Sequence, residues 1–542
     1  MRRRLTVLVV MAVMLAMLLA MVGMASAAPG NGKGFGRGIG GGNTTHADNG
    51  NHTATGGGTL NNPNVIGSGG VDGSAPPSAP SDLLIDEVYV NTQAPSMNHM
   101  NIIWKDNSSD ETRFEVQYQD NTDNTWHSVD VPADTGNWSQ QGVTNDVRYT
   151  YRVRACDSSV CSDWAKNATR AQDQYVAATA RPQWDDLSNF TKLDYGVYWF
   201  KCGTCRTTNS DGSQGAKTSD GIKADPTDVG TAYYDSDKPT LIYIHGIQPN
   251  GRKERESFVS PTDKTSDTAS GWNQQGYNTG IFYWNQIADD NGAIFGTPLP
   301  PHIAEAKVWG QWSGQNYMRW RTIGGGFSTE GLPSNTTVAS IFRDSYTEAL
   351  KNQNNPYIRL AAHSLGNQVA IGGTYLLAGT APASLRPKRV ALLDPYYSQT
   401  NPHLTIRPRD EATKLVGQLK SVGTLFEYYK TSNNLLIDTV DTIANQMAYV
   451  RIVPSYAGPA AAHGVAVHWY LTSVSYRPPA FTYSSRRNPT PAGFAPSAAM
   501  PDTELQRIDS CTQGCYWWYQ RNGRNTPIVT DDDFTTETGS FK

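Results

Sequence analysis

The chain has 542 residues, a formal net charge of -4 and a pI near 6.2. That length exceeds one ordinary domain and favours two folded units with tails. No basic stripe is present, which argues against nucleic acid as a partner, and a charged fraction of only 17% beside 50 glycines and 31 prolines points to long loops.

Arg2, Arg3 and Arg4 open the chain, a mostly apolar run follows from Leu5 to Val22, and Ala25-Ser26-Ala27 offers a small-x-small cleavage site. This is the layout of a secretory signal peptide over residues 1–27, with an uncleaved membrane anchor as the rival reading. Secretion into an oxidising compartment makes the six cysteines readable. They fall in close pairs, Cys156 with Cys161, Cys202 with Cys205 and Cys511 with Cys515. The expectation is three local disulfides, ahead of a CxxC redox centre or a zinc site. Residues 28–79 are rich in Gly, Asn and Ser and run into Pro76-Pro77-Ser78-Ala79-Pro80. Little there can be buried, so they read as a disordered linker.

From residue 80 to 180 the texture is short alternating runs: Asn101-Ile102-Ile103-Trp104, Arg113-Phe114-Glu115-Val116-Gln117-Tyr118 and Tyr149-Thr150-Tyr151-Arg152-Val153-Arg154-Ala155. Period-two alternation between turn clusters predicts a small all-β sandwich with Trp104, Tyr149 and Tyr151 in its core. Together with the opening Pro80-Ser81-Asp82-Leu83, these runs resemble a fibronectin type III domain. Such a domain brings no catalytic equipment. A spacer is its expected role, with contact to a surface or polymer as the alternative.

Residues 181–476 alternate apolar strands with helical patterns. Leu241–Ile244, Gly280–Trp284, Ile358–Ala361, Arg389–Leu393 and Tyr449–Val453 read as strands. Val338–Lys351, Asn367–Leu377, Ala412–Tyr429 and Val465–Val474 read as helices. This predicts an α/β fold, a mostly parallel sheet covered on both faces, with chemistry at the carboxyl ends of its strands. Within it, Ala362-His363-Ser364-Leu365-Gly366 stands between a strand and a helix. Small residues two before and two after Ser364 suit a nucleophile on a sharp turn, with helix amides favouring developing negative charge. His363 reads as a packing or hydrogen-bonding residue beneath that turn rather than as the base. His245-Gly246-Ile247 follows an earlier buried strand. The amides of Ile247 and Leu365 are the expected oxyanion-hole donors.

A general base must come from downstream. His463, expected in a small-residue loop, is preferred to His468 within a helix; His302 and His403 read as surface or packing residues. For the acid, no Asp or Glu occurs between Asp441 and Asp502, so the position after the last strand is empty. Asp394 directly follows Arg389–Leu393. The order Ser364, Asp394, His463 then fits this fold, with Asp438 and Asp441 in reserve.

Ile244-His245-Gly246-Ile247 with Gly251, His363-Ser364-Leu365-Gly366 and Leu392-Leu393-Asp394-Pro395 together resemble the α/β-hydrolase lipases and esterases, and are similar to the neutral animal lipases. The resemblance spans residues 239–475 and implies Ser364 as nucleophile, Asp394 as acid, His463 as base, and Ile247 with Leu365 as oxyanion donors. The cysteine pattern of those lipases is absent, so substrate detail does not transfer. The expectation is a secreted serine ester hydrolase acting on an ester or lipid, with no metal, no cofactor and no obligate protein partner. The alternatives are a polyester, amide or thioester hydrolase, or an inactive extracellular binding protein of the same fold. Residues 285–334 are long for a connection and read equally as a lid or a packed excursion. Residues 477–542 form a C-terminal extension expected to dock on the hydrolase, with Tyr516–Tyr519 as a less favoured carbohydrate- or polymer-binding patch.

Overall fold

A computed structural model describes residues 75–208, 214–248, 250–259, 267–290, 293–294, 297–298, 301–314, 316–432, 442–454, 457–475, 496–509, 517–520 and 534–537. The expected signal and nearly all of the expected linker lie outside these residues. So do the reserve acids Asp438 and Asp441, the side chains of Cys202 and Cys205, and the Cys511–Cys515 pair.

Strict alternation builds the first unit. β1 (Ser81–Tyr89), β2 (His99–Lys105) and β5 (Asn137–Gln141) form one antiparallel sheet. β3 (Arg113–Asp120), β4 (His127–Pro132), β6 (Arg148–Cys156) and β7 (Val176–Thr179) form the other, in the order β4-β3-β6-β7. Every second residue of β6, namely Tyr149, Tyr151, Val153 and Ala155, is buried against Trp104, Phe114 and Val116. This three-plus-four arrangement is a fibronectin type III-like β-sandwich. Cys156 and Cys161 are joined by a disulfide, as their spacing leads one to expect.

The second unit is a ten-stranded mixed sheet. Its centre is β10 (Thr240–Ile244), with β11 (Asn278–Tyr283) parallel on one side and β12 (Ile358–His363) parallel on the other. Beyond β12 come β13 (Arg389–Leu393), β14 (Leu425–Lys430), β15 (Ala448–Arg451) and β16 (Trp517–Gln520), all parallel. Antiparallel strands close both edges: β17 (Phe534–Glu537) beyond β16, and β8 (Gly196–Thr208) with β9 (Gln214–Lys223) beyond β11. Both faces are apolar because both are covered. Ile242 and Ile244 face a core shared with α3 (Val338–Ala349), α4 (Gly366–Thr380) and α5 (Pro408–Ser421). Leu241 and Tyr243 face a second core with α1 (Thr268–Gln274), α6 (Pro459–Thr472) and α7 (Asp502–Asp509).

Two sequence expectations need correction. The helix expected over Ala412–Tyr429 ends at Ser421, and Leu425–Lys430 is strand β14. Gly423, at φ +96°, turns the chain out of the helix, and the aromatic run after it pairs with β13. His463 lies on a helix rather than in a loop. Gly458 caps α6, Pro459 opens it, and alanines at 460–462 carry it forward.

The stretch 285–334 contains α2 (His302–Ser313), and its described part is firmly packed. Lys307 is buried, donates to the carbonyls of Ile287 and Arg319 at 2.9 and 2.8 Å, and pairs with Asp290 at 2.7 Å. Glu305, also buried, accepts from Gln368 Nε2 at 2.9 Å, Asn401 Nδ2 at 2.9 Å and the Ser398 amide at 3.1 Å. These contacts match the packed excursion of the two readings. No helix among the described residues is long and apolar enough to cross a membrane.

The sandwich is not a bead on a string. Ile85 of β1 donates to Gly230 O at 2.8 Å and accepts from the Ala232 amide at 2.9 Å. Ala177 of β7 exchanges two 2.9 Å hydrogen bonds with Val229. Arg181 binds Asp228 at 3.0 Å, and Lys201 pairs with Asp86. Leu83, Ile85 and Val176 belong to the same apolar cluster as Trp199 and Tyr233. At this seam Gly230 has φ +66°, and a Cβ there would stand 2.5 Å from Val176 Cγ1. Gly230→Ala is therefore expected to destabilise the whole protein by about 2–4 kcal/mol through left-handed strain plus overpacking. Chemical denaturation measures this, and an unchanged midpoint would show that the seam is loose.

Candidate active site

β12 ends in a turn that no ordinary backbone makes cheaply. Ser364 has φ +53°, in the left-handed region, and α4 begins two residues later. A non-glycine residue held there costs about 1–2 kcal/mol, so its surroundings must enforce it. Asn367 supplies part of that bracing. Its Nδ2 donates to the carbonyls of Ser364 and Leu393 at 2.9 and 3.2 Å, and its Oδ1 accepts from the Leu393 amide at 3.2 Å. The Ser364 amide bonds Leu393 O at 3.1 Å, and its carbonyl accepts from the Tyr396 amide at 3.2 Å.

The glycines explain the spacing around Ser364. A Cβ on Gly366 would lie 2.5 Å from the carbonyl oxygens of both Ile244 and His245. A Cβ on Gly246 would lie 2.6 Å from Ser364 Cβ and 3.2 Å from its Oγ. The two loops can touch only because both positions lack a side chain. Ile247 follows Gly246, whose backbone abuts Ser364, and Leu365 follows Ser364 as the N-cap of α4.

His245 is fully buried and fixed in one tautomer. Its Nδ1 donates to Gly246 O at 2.8 Å, and its Nε2 accepts from the Trp284 amide at 3.1 Å. Burial lowers its pKa to about 4 against the pull of Glu256, so it stays neutral and braces the loop. Farther along the same loop, Arg255 is pinned by Asp194 and by the Trp184 carbonyl at 2.8 Å. Glu256 accepts from Tyr243 Oη at 2.7 Å.

Asp394 emerges from β13 with φ +42° and is completely buried. Its Oδ2 accepts from His463 Nδ1 at 2.7 Å and from the Ser432 amide at 3.2 Å. Its Oδ1 meets Lys430 Nζ at 2.9 Å and the Thr431 amide at 3.4 Å. Burial alone would raise its pKa, but Lys430 first, then His463 and the Ser432 amide, hold it well below the usual carboxylate range. His463 in turn rests on the residue before Ser364. The His363 and His463 ring centres are 4.6 Å apart, and His363 Nε2 donates to the His463 carbonyl at 3.0 Å. Burial, with His463 alongside, lowers the His363 pKa to about 4.

The structure thus places Ser364 and Asp394 just past the carboxyl ends of β12 and β13 and Ile247 beyond that of β10, with Leu365 at the N-cap of α4. It joins His463 of α6 to Asp394, whereas no hydrogen bond links Ser364 to His463; the two meet through His363. His468 sits farther along α6. His363 packs and hydrogen-bonds beneath the turn, as expected, with the His463 carbonyl as its partner. Two contributors go beyond the sequence reading. Asn367 sits one residue past the elbow and carries no motif of its own. Lys430 closes β14, and the run Leu425-Phe426-Glu427-Tyr428-Tyr429-Lys430 after Gly423 is the signal that could have exposed it.

No family model and no curated protein matches the chain. Among solved structures, the chain is similar to the fn3 domain of human contactin 1, at 18% identity over 21% of this chain and 94% of that one, with a TM-score of 0.16. It is also similar to the fn3 domain of human collagen alpha-1(XX), at 16% identity over 21% and 90%, TM-score 0.15. A Fn3-like protein from Clostridium thermocellum matches at 15% identity over 17% and 88%, TM-score 0.14.

The depressed His245 pKa has a thermodynamic consequence. Unfolding restores an ordinary imidazole near 6.5, so the unfolded chain binds the extra proton and stability falls as pH drops from 6.5 towards 4. The full contribution is about 3 kcal/mol at 1.36 kcal/mol per pH unit. Unfolding free energies of wild type and His245→Asn, measured across this window, should differ in slope, with the wild type steeper. Parallel curves would show that His245 titrates normally in the fold.

Proposed function

We propose that this protein is a secreted serine hydrolase of the α/β-hydrolase type that cleaves carboxylic esters through an acyl-enzyme. The observation that carries the reading is the 2.7 Å bond between Asp394 Oδ2 and His463 Nδ1, packed against a strand–turn–helix that holds Ser364 at φ +53°. The parallel order of β11, β10, β12, β13, β14 and β15 supports it. So does the chain order nucleophile, acid, base.

In this mechanism Asp394 fixes His463 with its proton on Nδ1, leaving Nε2 as the base. His463 takes the Ser364 hydroxyl proton as Oγ attacks the ester carbonyl. The oxyanion is met by the amides of Ile247 and Leu365, where the α4 N-terminus adds favourable potential. His463 then protonates the departing alcohol, and water repeats the sequence on the acyl-enzyme. The disulfide fits an oxidising, extracellular setting.

Labelling with a fluorophosphonate tests the reading. Wild type should label and Ser364→Ala should not. His463→Ala and Asp394→Asn should keep the fold and lose about three to four orders of magnitude in aryl-ester turnover. A folded wild type that does not label would defeat the proposal. Near-normal turnover in Asp394→Asn would remove Asp394 from it.

A further inference from the structure

Lys430 has no place in the mechanism just described, yet it touches that mechanism's acid. Its Nζ lies 2.9 Å from Asp394 Oδ1, while His463 takes Oδ2, and both charged side chains are buried. Strand geometry puts it there. β14 pairs in parallel with β13, which brings its carboxyl end beside the carboxyl end of β13. The next two amides, of Thr431 and Ser432, point at the same carboxylate. A buried lysine here does more than complete an ion pair, because it opposes the charge that develops next door. With His463 neutral, Asp394 and Lys430 together carry no net charge. With His463 protonated, the cluster carries one positive charge in a poorly screened site.

We propose that Lys430 is a positioning residue that holds Asp394 Oδ2 towards His463 and, by its charge, opposes a second positive charge beside Asp394, so that ester hydrolysis persists under mildly acidic conditions. The proposal rests on the serine hydrolase reading above. Among the described residues, the charged and titratable groups around His463 and Asp394 can be named. Asp394 and Lys430 come from the sheet. Arg451, the register partner of Lys430 on β15, donates to Ser432 O at 2.8 Å. His363 packs against His463 from the elbow, the two rings tilted at 44°, and Glu256 lies near His363 from the loop after Gly246. His363 is neutral above about pH 4. The removable charge that contacts Asp394 directly is therefore that of Lys430.

The experiment is the pH dependence of kcat/KM for a short-chain aryl ester, followed by pH-stat, on full-length wild type, Lys430→Met, Lys430→Gln and Lys430→Arg. Deleting the charge should move the acid limb to higher pH by about one unit, since one charge several ångströms away at an effective dielectric near 20 is worth that much or more. Lys430→Gln retains a hydrogen-bond donor without charge and should move the limb in the same direction. Lys430→Arg should leave it in place. The effect should fall on kcat with KM little changed, because Lys430 does not meet substrate. An acid limb unmoved in either folded neutral variant overturns the proposal. Loss of fold in both neutral variants overturns it as well, and marks the pair as purely structural. Absence of fluorophosphonate labelling in wild type is a separate outcome that defeats the hydrolase reading itself.

Discussion

A full negative charge buried at the end of β13 is the constraint around which the centre of this molecule is arranged. An isolated carboxylate in such a place would cost several kcal/mol or take up a proton. Asp394 does neither, because β13, β14 and α6 bring a lysine, two backbone amides and an imidazole to its two oxygens. Each donor fixes an element. Lys430 to Ser432 set how β14 leaves the sheet, and His463 sets how α6 approaches it. The rotation of α6 about its axis is thus tied to the ionisation of one side chain.

The second constraint is steric and lies on the other side of Ser364. Backbone meets backbone where Gly366 faces the carbonyls of Ile244 and His245, and where Gly246 faces Ser364. Close packing of this kind tolerates no relaxation by side-chain rotation, so the left-handed turn at Ser364 is over-determined. Asn367 adds polar ties to the elbow and to β13. The positions of Ser364 and Asp394 are therefore linked through the backbone of Leu393 and the side chain of Asn367.

Much of this was legible in the sequence because the signals are local. The elbow is a strand, a turn and a helix within residues 358–380, and the sandwich declares itself by alternation around Trp104 and Tyr151. Asp394 could be reached by elimination among few acids. What escaped depends on longer-range or weaker signals. The apolar spacing through Ala412, Leu415, Val416 and Leu419 continues smoothly into Leu425 and Phe426, so only Gly423 marks where helix gives way to strand. With β14 hidden, Lys430 had no visible partner. His463 looked like a loop residue because Gly464 follows it, whereas Pro459 and three alanines outweigh one glycine. The seam at Val229-Gly230-Thr231 carries no pattern, since a few residues of edge pairing are specified by the partner strand rather than by their own propensities.

That seam bears on how the molecule comes apart. Backbone hydrogen bonds, a buried arginine–aspartate pair and one continuous apolar cluster cross from the sandwich into the large sheet. Where two units share a core, neither can open without exposing the other, and their unfolding becomes one cooperative event. The sandwich then behaves calorimetrically as part of the larger unit. A protease working on the folded protein finds no exposed hinge between them at residues 176–183, where the chain is held by β7, Arg181 and Gln183.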